Sequence, residues 1–143
     1  MHTQPIQPPP CDVGPKPAVL SLSLYAQENR AHRRTLWTGE HLQLAVLCLS
    51  PGEDMGTEMH PALDRLLCVE EGYALLRYGR CRSTISDSGY MKRGDAFLVP
   101  AGTYHNLVNV GKRALRLSSV CAPPHLSHGA VYPTKEDELK TKL

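Results

Sequence analysis

The run from Gly94 to Asn109 restricts the possible folds more than any other stretch, because it sets a turn, two apolar segments and one histidine at fixed distances. Residues 97–99 read as a short strand. Pro100 fixes φ at the start of the following turn, and Gly102 permits a positive φ near its end. His105 then opens the returning strand, just past a hairpin, where a loop on a rigid scaffold carries functional groups. Short runs of β character recur at residues 19–25, 36–37, 42–49, 66–69, 73–78, 83–85, 107–110 and 114–121. Gly, Pro and Ser punctuate them and helical periodicity is nearly absent, so the pattern predicts an all-β sandwich or barrel. Residues 133–142 are the exception. Thr134 is a candidate N-cap, acidic residues follow it, and Glu136 with Lys140 and Glu138 with Lys142 are i,i+4 pairs, which together predict a short surface helix.

The spacing of Gly94, Pro100, Gly102, His105 and Asn109 resembles the second motif of the cupin superfamily, G-x5-P-x-G-x2-H-x3-N, at all of its fixed positions. The first cupin motif, G-x5-H-x-H followed by a glutamate and a glycine, is matched by Gly52, His60 and Gly72. Glu58 stands at its first histidine position and Arg65 at its glutamate position. The stretch from about Trp37 to Pro124 is similar to small, single-domain cupins in which a glutamate precedes the retained histidine. That resemblance implies a double-stranded β-helix, or jelly-roll, barrel over residues 18–122. A proline-rich disordered tail would precede it over 1–17, and an extension with the short helix would follow over 123–143.

In an extended strand, residues two apart project from one face, so Glu58 and His60 can point together into a barrel interior. The family geometry implies that His105 joins them as a metal ligand. Two imidazoles and one carboxylate suit zinc, manganese or iron in an open site, where the ion polarises a substrate oxygen or, as iron, binds dioxygen. Arg65 points the other way, since a guanidinium cannot ligate and is always charged. Two registers stay open: Arg65 faces inward and pairs with Glu58 in place of a metal, or Pro61 shifts the count so that Asp64 faces inward as a further ligand. Arg65, Asp64, Tyr104 and Trp37 are the candidate substrate-pocket residues, with a rim or packing position favoured for Tyr104 and a core or interface position for Trp37. The cluster Arg30, His32, Arg33 and Arg34 reads as a solvated face, and His125 with His128 as an exposed pair.

The chain has 143 residues, enough for one domain and one core. Its net charge of +2 implies no polyanionic partner, so nucleic acid is not expected. The first 17 residues hold six prolines and no apolar run, which excludes a membrane span there. Five cysteines with no paired spacing predict free thiols and a reducing compartment, the cytosol. Residues 42–49 are apolar on both faces, so the outer face needs a cover, either the 19–25 strand or a second subunit, and a homodimer is expected. The functional expectation is a metal-dependent cupin acting on a small polar molecule, such as a sugar derivative, by isomerisation or oxygenation. The alternative is a metal-free binding module or sensor in which Arg65 pairs with Glu58, and a purely structural barrel is the default.

Overall fold

The structure, a computed structural model, describes residues 11–141. Nine strands among them form two antiparallel sheets. They are β1 (Arg33–Thr38), β2 (Gln43–Leu49), β3 (Asp64–Glu71), β4 (Tyr73–Gly79), β5 (Ser86–Lys92), β6 (Ala96–Val99), β7 (Tyr104–Asn109), β8 (Leu115–Ala122) and β9 (Val131–Tyr132). The larger sheet runs β6-β3-β8-β2-β1-β9 and the smaller runs β5-β4-β7. Isolated bridges from Asp54 to Val108 and from Glu58 to His105 lay the loop between β2 and β3 along β7. The sheets face each other across a core that includes Leu47, Leu67, Val69, Leu107, Leu115 and Leu117, each almost fully buried. Two antiparallel sheets packed face to face around one core form the double-stranded β-helix that the cupin resemblance implies.

The second motif has separable structural parts. Gly102 adopts φ 85°, a left-handed value that suits glycine, and its N–H donates to the His60 carbonyl at 2.8 Å, which ties the Pro100 turn to the first motif. Asn109, 1 % exposed, pins the far end of β7: its Nδ2 donates to the carbonyls of Leu49 and Arg113, and its Oδ1 accepts from Gly111 N. Gly72 links β3 to β4 at φ 101°, and a Cβ there would lie 3.0 Å from backbone atoms of Ala114 and Leu115.

Several expectations need correction. Residues 19–25 do not form a strand; α1 spans Leu22–Glu28. Leu20, Leu22 and Leu24 alternate as a strand would, but Leu22, Tyr25 and Ala26 also stand at i, i+3 and i+4, and the helical spacing prevails because it presents one apolar face to the sheet. Ala26, with Leu22 and Tyr25, packs on Leu36, Val46 and Leu44, so the chain itself covers the outer face of β2. Of the run expected as a strand at 83–85, residues 83 and 84 instead belong to a 3-10 turn, Arg82–Thr84, before β5.

Only residues 11–17 of the tail expected over 1–17 are described, and they are held against the barrel. Residues 1–10 lie outside the described residues, but Asp12 is buried and accepts from the backbone N–H of Gly14 and Thr38, and Val13 N donates to Leu36 O. The extension from 123 is also part of the barrel. There β9 pairs with β1 at the sheet edge, and α2 (Lys135–Lys140) follows, capped by Thr134 as expected. The pair of Glu138 with Lys142 falls outside the described residues, since Lys142 does, but Glu138 is not a surface residue: it is 2 % exposed. No helix among the described residues is long and apolar enough to cross a membrane.

If α1 seals the outer face, Leu36→Ala should lower the unfolding free energy by about 2–5 kcal/mol in urea denaturation. A loss below about 1 kcal/mol would show that this contact contributes little.

Candidate functional site

The antiparallel bridge between Glu58 and His105, closed by reciprocal backbone hydrogen bonds of 2.9 Å, brings the two motifs side by side. Glu58 is 6 % exposed and its carboxylate is fully engaged. Oε2 accepts from Arg33 Nη2 at 2.6 Å, while Oε1 accepts from Arg65 Nη1 at 3.1 Å and lies 3.2 Å from His60 Nε2. Arg33 adds a longer contact from Nη1, and its Nε stands 2.8 Å from Glu138 Oε1 on α2. Arg65 donates from Nε to Ser119 Oγ at 2.9 Å, and its Nη1 lies 3.3 Å from His105 Nε2. The Thr103 carbonyl, 3.0 Å from His105 Nδ1, can only accept, so Nδ1 carries the proton and the Nε2 lone pair faces Arg65.

Two arginines and two glutamates thus form a buried cluster of no net charge, and the pKa shifts follow from it. Burial alone would raise the Glu58 carboxyl, but Arg65 and Arg33 overcome it and hold the group well below the usual carboxylate range. Arg33 is shifted upward, because Glu58 and Glu138 outweigh desolvation. Desolvation pushes His105 down, with the Arg65 charge adding to it. His125 is pushed down to about 3 by desolvation, the His60 charge and the Arg65 charge.

Of the two registers open in the sequence, Arg65 faces inward at 3 % exposure. Asp64 is exposed and accepts from Ala101 N at 3.0 Å, so it braces the Pro100 turn, and with Arg65, Leu98, Val99 and Pro100 it borders a separate cavity of about 260 Å³. Tyr104 borders a cavity of about 350 Å³ with Thr57, Glu58, Met59, His60 and Arg82, and the Arg82 guanidinium sits 5.8 Å from the Tyr104 ring centroid. Trp37 lies elsewhere. It borders an apolar groove beside Leu22, Leu42 and Leu44 on the outer sheet face, where Nε1 donates to Lys16 O at 2.7 Å.

Four residues in or beside the site escape the sequence reading. Arg33 and His32 are buried, not solvated. The only signal for Arg33 was its place on a strand that must turn one face inward. Glu138 carried none, since it sits in an evenly charged helix. His125, read as exposed and without a role, has its ring 4.5 Å from that of His60.

Glu58, His60 and His125, rather than the expected trio with His105, each bring a donor atom to within 4.8 Å of one another, a spacing open to an ion. The arrangement as it stands does not fit a resident metal. Both Glu58 oxygens are held by guanidinium groups, the His105 lone pair faces Arg65, and an ion beside Glu58 would stand against two fixed cations.

A two-sheet antiparallel β-helix with paired motif residues at its interior defines a small cupin. Residues 45–122 match the family model described as the cupin domain, and the chain belongs to that family. It is 38% identical over 126 residues to the uncharacterized protein YrkC of Bacillus subtilis (strain 168), covering 88% of this chain and 68% of that one. The crystal structure of BH2720 from Bacillus halodurans is 42% identical with a TM-score of 0.89, over 91% of this chain and 98% of that one. A structure described as a sugar phosphate isomerase, SPO2919 from Silicibacter pomeroyi, is 21% identical with a TM-score of 0.54, over 65% and 60%, a likeness of fold alone.

Acid should weaken the fold in two stages. His105 and His125 bind protons less readily folded than unfolded, so the unfolded chain takes up more protons below about pH 6.5 and stability falls from there downward. Glu58 adds a further loss below about pH 4.3, where the unfolded chain protonates first. Urea midpoints measured from pH 7.5 to 4 should show the first stage, with a shallower slope in His125→Gln; an unchanged slope would remove His125 from the account. Glu138→Gln, which uncouples α2 from Arg33, should cost roughly 3–5 kcal/mol in the same assay at pH 7.

Proposed function

We propose that this cupin binds a small, polar, anionic molecule at the barrel mouth and does so without a resident metal. The observation that carries the reading is the Arg65 guanidinium set between Glu58 and His105, where it meets the oxygen and the nitrogen an ion would need. With Glu58 held by Arg33 and Arg65, the groups left to meet a ligand are mostly donors: the Thr57 and Tyr104 hydroxyls, the His60 ring and the Arg82 guanidinium. Arg82 has no ion-pair partner among the described residues, so it supplies the charge that selects an anion. The cavity volume of about 350 Å³ is at the small end of ligand pockets, which span about 300–1,000 Å³. A hydroxy-carboxylate such as a sugar acid suits both its size and its donors.

On this reading the site is a binding module. Glu58, ionised and paired with two arginines, is a poor proton acceptor.

Two measurements test the reading. Elemental analysis of protein purified without chelator should find well under one transition ion per chain. Calorimetric titration with galacturonate should show binding that Arg82→Ala weakens about tenfold or more, the scale of one lost charged hydrogen bond. A stoichiometric ion in the wild-type protein would defeat the metal-free part, and equal affinity in Arg82→Ala would defeat the anion assignment.

A further inference from the structure

We infer that Arg65 occupies the place of a metal ion and that the barrel holds a latent transition-metal site, built from Glu58, His60, His105 and His125, which this one guanidinium closes. The inference rests on the metal-free reading above. Arg65 Nη1 lies 3.1 Å from Glu58 Oε1 and 3.3 Å from His105 Nε2, so it is the shared neighbour of two donors on different strands. His60 Nε2 stands 3.2 Å from the same Oε1, and a His125 nitrogen lies within 4.8 Å of a donor atom of each of Glu58 and His60. Ligands about 2.0–2.1 Å from a tetrahedral zinc ion are about 3.3 Å apart, so the Glu58–His60 spacing already suits an ion, while His125 and His105 would each have to move inward, His105 into the place that Arg65 Nη1 now holds.

The tautomer agrees. His105 keeps its proton on Nδ1 through Thr103 O, which leaves Nε2 free to ligate once Arg65 is gone. Charge agrees as well. Arg33 and Arg65 balance Glu58 and Glu138 in the wild-type protein. A neutral residue at position 65 leaves one arginine against two carboxylates, a net charge of −1 that attracts a divalent cation. Arg33 stays on Glu58 Oε2 with its charge offset by Glu138, so removing Arg65 frees Glu58 Oε1 and the His105 lone pair for an ion.

The test compares the full-length wild-type protein with Arg65→Gln, Arg65→Met and Arg65→Lys, each stripped of metal and titrated with zinc against a chromophoric chelator. Arg65→Gln and Arg65→Met should each bind one zinc ion per chain at least about tenfold tighter than the wild-type protein, and zinc should raise their melting temperatures. Arg65→Lys, which keeps the charge, should behave as the wild-type protein does. Adding His105→Ala or His125→Ala to Arg65→Gln should weaken zinc binding again by about tenfold or more. Circular dichroism identifies which variants are folded, and the neutral pair provides two independent chances of a folded one. Folded neutral variants that bind zinc no better than the wild-type protein would overturn the inference while leaving the metal-free reading intact. Tight, stoichiometric zinc in the wild-type protein would instead overturn that reading and, with it, the idea that Arg65 closes the site.

Discussion

The burial of one carboxylate between two guanidinium groups is the interaction on which the rest of this barrel's interior depends. An ion taken out of water costs several kcal/mol unless it is paired and hydrogen-bonded. Glu58 meets that requirement only because four separate pieces of chain converge on it: the loop that carries Glu58 itself, β1 with Arg33, β3 with Arg65, and α2 with Glu138 balancing Arg33. Removing any one leaves a buried charge without compensation. The cluster is therefore less a source of net stability than a condition on how the pieces are allowed to assemble, since all four charges must meet for any one to be balanced.

Around this cluster the cupin framework divides into scaffold and chemistry. Asn109 and Gly102 both act on the backbone, Asn109 fixing the end of β7 with its side-chain amide and Gly102 joining two turns with its own N–H. His105 sits on the same strand and is held in one tautomer by that scaffold. A frame that serves metal chemistry in other cupins is retained here with its ligand positions edited, and the edits are mutually consistent: a glutamate where the first motif has a histidine, and an arginine placed to meet it.

The strand pattern and the second motif were legible because turn chemistry and period-2 alternation are local properties, written within a few residues of each other. The pairing of Arg65 with Glu58 was legible as one of two options, and burial selects it: Arg65 at 3 % exposure cannot be the outward residue of that strand. Arg33 and Glu138 were not legible. Their partners are far away in sequence, and an arginine in a basic run or a glutamate in a charged helix looks the same in a sequence whether it is solvated or buried. The misreading of α1 has a different origin, since a short apolar segment carries both periods at once and only the sheet it packs against decides between them.

The position of Glu138 gives this barrel an order of events. Arg33 leaves the ribosome about a hundred residues before the carboxylate that balances it, a delay of about 5–20 s at about 5–20 residues per second. During that interval β1 lacks its neighbour β9 and has one uncompensated cation on its inward face. Closing the interior around Arg33 then would bury a charge with half its counterions. The interior charge of Arg33 is therefore balanced only once the segment carrying β9 and α2 has emerged, which places the C-terminal end of the described chain among the requirements for a neutral barrel interior.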